Sequence, residues 1–217
     1  MKKSKLLFII LGILFLFLGF TDDPMSLEFA LWMFALAFTV PLQKFFSRFP
    51  PLRTFFFVGF FVGIFAELFA VFGSLDVPAG ERVLMGQSPK TDLVFGLFYY
   101  SMLMCVWTFL VHRYSYTRKE IFVLAGLLGI ATEGVGAVFV GLITNPIGFG
   151  GLYALIVFCV YGIFPYIAFL TLEGRITPTY TESGNIKKYG MAILGMFLFI
   201  AIFGNYLLPL LRNIFGA

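Results

Sequence analysis

Long apolar stretches, interrupted by short polar ones, set the pattern of this chain. Between its charged residues the apolar runs fall at 6–20, 26–40, 54–73, 93–111, 121–143, 148–172 and 189–211. A helix rises about 1.5 Å per residue, so roughly 20 apolar residues cross a hydrocarbon core of about 30 Å. The pattern predicts an all-α, polytopic integral membrane helix bundle of about seven transmembrane helices. The first run is short enough for a signal-peptide core, and Lys2, Lys3 and Lys5 supply its basic flank. Gly19-Phe20-Thr21 lacks the small-residue pattern of a cleavage site, so an uncleaved first helix is expected.

Composition agrees, because 60% hydrophobic and 12% charged residues leave too few polar side chains to cover a soluble globule of 217 residues. The short connections leave no room for a second domain, so residues 1–217 are read as one membrane domain. The net charge of +4 does not imply nucleic acid, since the basic residues are scattered through short loops and form no continuous face. The expected partner is the lipid bilayer. The expected location is the cell membrane, as a multi-pass protein.

The same charges predict orientation. With the N-terminus cytoplasmic, Lys2, Lys3, Lys5, Lys44, Arg48, Arg53, Arg113, Arg118, Lys119, Arg175, Lys187 and Lys188 all fall inside. Only Arg82, Lys90 and Arg212 fall outside, which is the bias that retention of basic loops produces. The C-terminus is then external. Asp22 and Asp23 mark the first outer turn, Asn145-Pro146 a tight one, and residues 73–92 the long outer loop.

The chain also resembles itself. Phe95-Gly-Leu-Phe-Tyr99 leading to Cys105-Val106 matches Phe149-Gly-Gly-Leu-Tyr153 leading to Cys159-Val160, and these are the two cysteines of the chain. The preceding helices agree, Gly63-Ile-Phe-Ala-Glu67 with Gly129-Ile-Ala-Thr-Glu133. This predicts an internal two-helix repeat, helices 3 and 4 (about 53–113) and helices 5 and 6 (about 119–175). An even number of crossings returns the chain to the same side, so the copies are expected to be parallel, related by an axis along the membrane normal.

Equivalent residues then share a depth. Glu67 and Glu133 each follow a basic residue, Arg53 and Lys119, by fourteen positions, which is about 21 Å of helix and places both in the outer half. Tyr99, Tyr153 and Asn205 fall near that level, with Thr132 beside Glu133. The expected substrate- or proton-binding residues are Glu67, Glu133, Tyr99, Tyr153 and Asn205, because intramembrane acids face cavities or partners. Bland alternatives stand beside this. The tyrosines suit interfacial anchors, the cysteines suit packing, and shallow carboxyls reach water. Gly59, Gly63, Gly129, Gly134, Gly136 and Gly141 permit close crossing of the two acid-bearing helices, which would bring the carboxyls together to share a proton.

Other chemistries lack raw material. The single histidine, His112, stands at a helix end beside Arg113, which leaves no zinc hydrolase or Ser-His protease. There is no phosphate-binding loop or dinucleotide fingerprint, and no metal site or cofactor is expected. Seven-helix retinal proteins need a lysine inside the last helix, and here Lys187 and Lys188 precede it.

An intramembrane Glu followed by F-G-x-x-Y resembles a pattern in membrane carotenoid hydratases and related isoprenoid-modifying enzymes. The intervals differ between the copies, 28 residues from Glu67 to Phe95 and 16 from Glu133 to Phe149. The resemblance implies a protonated Glu that donates to an alkene. Three classes follow: a proton- or cation-coupled transporter, such a lipid-modifying enzyme, or a structural membrane protein. Catalytic residues and substrate stay unassigned. A homodimer is expected, since so short a chain needs a second copy to complete a pathway.

Overall fold

The computed structural model describes residues 3–21, 23–75, 88–172, 174–180 and 185–215. The described residues form α1 (Lys3–Thr21), α2 (Ser26–Ala37), α3 (Thr39–Phe46), α4 (Pro51–Gly73), α5 (Pro89–Arg113), α6 (Arg118–Thr132), α7 (Ala137–Thr144), α8 (Phe149–Leu170), α9 (Asn185–Ile202) and α10 (Leu208–Phe215). Five helical segments are long and apolar enough to cross a membrane, or up to seven if the bent pairs α2/α3 and α6/α7 each form one span. Phe57, Phe61 and Phe65 of α4 show why lipid is the solvent. They repeat every four residues along one helix face and all point outward, exposed.

Two expected spans are not straight. The run 26–40 stops as α2 at Ala37, and α3 leaves at 81°. Thr39 Oγ1 bonds back to the carbonyls of Ala35 and Leu36, and Pro41 offers no amide to continue the ladder. The run 121–143 breaks at a short 3-10 turn, Glu133–Gly136, after which α7 departs at 94°. Gly136 has φ +86°, a conformation that ends helices and that a residue with a Cβ adopts only with strain. The last run is longer than expected, since α9, a π turn at Phe203–Leu207 and α10 together cover 186–215.

The helices gather into one principal core around Trp107, Phe55, Leu103, Met104, Ile163 and Phe164. α4 packs on α5 and α8, α6 on α8, and α9 on α5, while α1 packs along α2. Many Lys and Arg residues meet at one end of this bundle, here the basic end. There Arg175 donates to the carbonyls of Phe46 and Phe49, Gln43 to that of Leu170, and Lys188 to the carboxylate of Glu120 at 2.7 Å. The opposite, far end holds the α1–α2 turn, where Asp23 Oδ1 accepts from Met25 N, and the α7–α8 turn, where Asn145 Oδ1 accepts from Gly148 N at 3.0 Å. Asp22, Arg82 and most of the long loop, residues 76–87, lie outside the described residues.

Candidate functional site

α4 and α5 interlock through two glycines. The Tyr100 ring lies against Gly63, whose missing Cβ leaves the space, and Glu67, one turn along α4, lies against Gly96. A Cβ at Gly96 would stand 2.9 Å from Glu67 Cγ. Asp92, Gly96 and Tyr100 share one face of α5 at intervals of four, so the Glu67 side chain sits between the Asp92 carboxyl and the Tyr100 hydroxyl and interacts with both. Asp92 is fully buried.

α6 and α8 repeat the arrangement. The Tyr161 ring occupies the space beside Gly129, and its hydroxyl donates to Glu133 Oε2 at 2.7 Å. Glu133 is the residue at which α6 ends and the chain unwinds, so its carboxyl stands at the negative pole of that helix. The two halves meet at Tyr99. Its hydroxyl faces those of Tyr161 and Thr132, within electrostatic reach of Glu133 and Glu67, yet completes no hydrogen bond. Glu67 and Glu133 are also within electrostatic reach of each other. Stacked edges hold the phenols in place: Tyr99 on Tyr100 at 5.1 Å between centroids, Tyr100 on Phe164 at 5.5 Å, and Tyr161 on Phe164 at 6.3 Å.

Of the expected residues, Glu67, Glu133 and Tyr99 therefore come together, with Thr132. Tyr153 does not bond to either acid; it stacks on Phe149 at 6.0 Å in a smaller cluster with Ile130, Val138, Ala154 and Val157. Asn205 is exposed on the π turn and donates to Ala201 of its own helix. The residues paired by the expected repeat occupy unlike surroundings. Phe95 is fully buried and Phe149 is 77% exposed, while Cys105 is exposed and Cys159 half-buried.

Three residues of the cluster, Asp92, Tyr100 and Tyr161, were missed, and so was Glu28 outside it. Glu28, inside the second apolar run, carried the same signal as Glu67, an acid within an apolar stretch. Asp92 was assigned to the loop, one residue short of the run at 93, although it is in helical register with Gly96 and Tyr100. Tyr100 and Tyr161 carried no signal short of the helix crossings. Among the described residues no three His, Cys, Asp or Glu side chains come together as a metal site. Compared with protein-family models, with curated proteins and with solved structures, the chain matches none, so what the cluster does rests on its own geometry.

Proposed function

We propose that this chain is a small transporter of the cell membrane, coupled to protons or another small cation through Glu67 and Glu133. The observation that carries the reading is the Glu133–Tyr161 bond at a broken helix. Broken helices in transporters expose backbone carbonyls at half-helix C-termini, where coupling cations bind. A cation at that negative pole would be held by the carboxyl and by the freed carbonyls together. Glu67, with Tyr100 and Asp92, supplies the second carboxyl, and Tyr99 stands between the two. A second copy of the chain completes the pathway, and the basic end faces the cytoplasm, consistent with the loop charges.

The isoprenoid-enzyme reading has one observation in its favour. A groove of about 550 Å³ opens towards lipid between α1, α2 and α4, beside Phe20, Leu27, Phe65 and Phe69. Its lining includes neither an acid nor a tyrosine, so an alkene held there has no proton donor in contact. Coupled transport fits the cluster better.

The test uses purified protein in liposomes loaded with a pH-reporting dye and challenged with a panel of amines, amino acids, sugars and metal cations. One or more solutes should drive proton movement in the parent, and Glu67→Gln and Glu133→Gln should each abolish it. Tyr161→Phe should slow it, since the carboxyl then loses its one neutral donor. Equal movement in the parent and both Gln variants would assign the carboxyls to structure.

A further inference from the structure

α2 carries an acid that the cluster above does not use. Glu28 is 1% exposed, and neither of its carboxyl oxygens has a hydrogen-bond partner. One turn along the same helix, the indole nitrogen of Trp32 is also buried and unpartnered. The titratable groups facing Glu28 are Tyr100 of α5 and Cys159 of α8. α4 brings Glu67, which reaches the same Tyr100. α1 and α3 bring Lys3, Lys5 and Lys44, which belong to the basic end; Lys5 lies over the Phe38 ring at the α2–α3 bend. Among the described residues, therefore, no cation faces Glu28. A buried carboxyl with neither a cation nor a donor beside it is a place where a proton can bind and be released.

The α1–α2 hairpin encloses that acid. α1 packs on α2 along its length, with Gly12 under the Phe34 ring, Gly19 under Leu27, and Phe15 on Phe29 at 5.5 Å. Towards the other helices α2 leans on α8 and α4, and Trp32 anchors it, stacked on Phe122 at 5.3 Å and edge-on to Tyr166 at 6.1 Å. At the far end the contact is slight: a Cβ on Gly73 would lie 3.7 Å from Pro24 Cδ. The 81° bend at Phe38 lies at the hairpin's other end.

We propose that Glu28 is a proton-binding site of this protein, closed by the α1–α2 hairpin and opened to solvent at the far end when the hairpin parts from α4 and α8. Through Tyr100 the site stands next to Glu67, so a proton released there enters the same cluster. The assignment rests on Glu28 alone and does not require Glu67 or Glu133 to be active.

Infrared spectroscopy of the purified protein in lipid tests it, because a protonated carboxylic acid has a carbonyl band distinct from that of a carboxylate. At neutral pH the parent should show a band that Glu28→Gln removes and Glu28→Asp shifts. Spectra of parent, Gln and Asp variants that coincide in this region would overturn the proposal. If the Gln variant fails to fold, the Asp variant alone decides it.

The hairpin is tested by a tether. A Cβ at position 73 lies 4.0 Å from Pro24 Cβ, within the span of about 3.5–4.5 Å that a disulfide bridges. In a Pro24→Cys/Gly73→Cys variant with Cys105 and Cys159 replaced by alanine, deuterium should reach the Glu28 band at least about tenfold more slowly when oxidised than when reduced, as closing a local opening requires. Equal rates in the two forms would overturn the gate. The solute-driven assay on Glu67 and Glu133 is unaffected by either result, so failure of one reading is distinguishable from failure of the other.

Discussion

The two ends of this bundle treat charge in opposite ways. At the basic end several helix termini are closed by polar groups. The carbonyls of Phe46 and Phe49 accept from Arg175, that of Leu170 accepts from Gln43, and those of His112 and Arg113 accept from the amides of Thr179 and Tyr180. Glu120 accepts from Thr117 N, Lys188 and Tyr189, while the Tyr116 hydroxyl donates to the Lys188 carbonyl. In the far half Glu67 meets Asp92 and Tyr100, Glu133 meets Tyr161, and no cation is seen on either acid among the described residues. One helix breaks beside Glu133, another carries a π turn at the level of Tyr99, and Glu28 has no hydrogen bond. An end closed by polar groups is a fixed base, whereas an acid beside a broken helix or an acid without a partner is where protonation can move structure.

The contrast is tested most severely at Glu120. Removing one partner of a partly buried ion pair leaves the other uncompensated, so Glu120→Ala should cost about 3 kcal/mol. Thermal unfolding in detergent measures this, and an unchanged midpoint would mean that the basic end is not the stable base. Next comes the helix crossing: Gly129→Val places a side chain where the Tyr161 ring lies, which should cost about 2 kcal/mol and weaken the Glu133 bond. The same substitution at Gly190, which has open space around it, should change little; equal losses at both would argue against close packing at the acid.

The broken helix gives a smaller effect. Gly136→Ala meets no nearby side chain but must hold a positive φ, at a cost of about 1 kcal/mol, whereas Gly136→Asn should be milder. If alanine is tolerated fully, the turn is more adaptable than the structure indicates. The smallest expected effect is at Asn205, whose exposed side chain bonds its own helix; Asn205→Ala should leave both stability and solute-driven proton movement within error. A large loss there would extend the site to the π turn.

Apolar run length and the distribution of charge are properties of the chain alone, and from them the all-helical, membrane-crossing architecture was legible. Every one of the seven runs contains helix, because each must hydrogen-bond its own backbone where lipid offers no partner. The same logic marked Glu67 and Glu133, since an acid within such a run needs a reason. It would have marked Glu28 equally. What the chain could not disclose is which helix faces which. Tyr100 and not Tyr153 came to serve an acid because its ring fits beside Gly63, and Tyr161 reaches Glu133 because Gly129 lets α6 and α8 approach. The bends after Ala37 and Thr132 likewise depend on local competition for backbone hydrogen bonds, to which an apolar average is blind. Hydrophobicity decides that a segment is buried in lipid. Only side-chain packing, which acts over a few ångströms between residues far apart in sequence, decides what its polar groups meet.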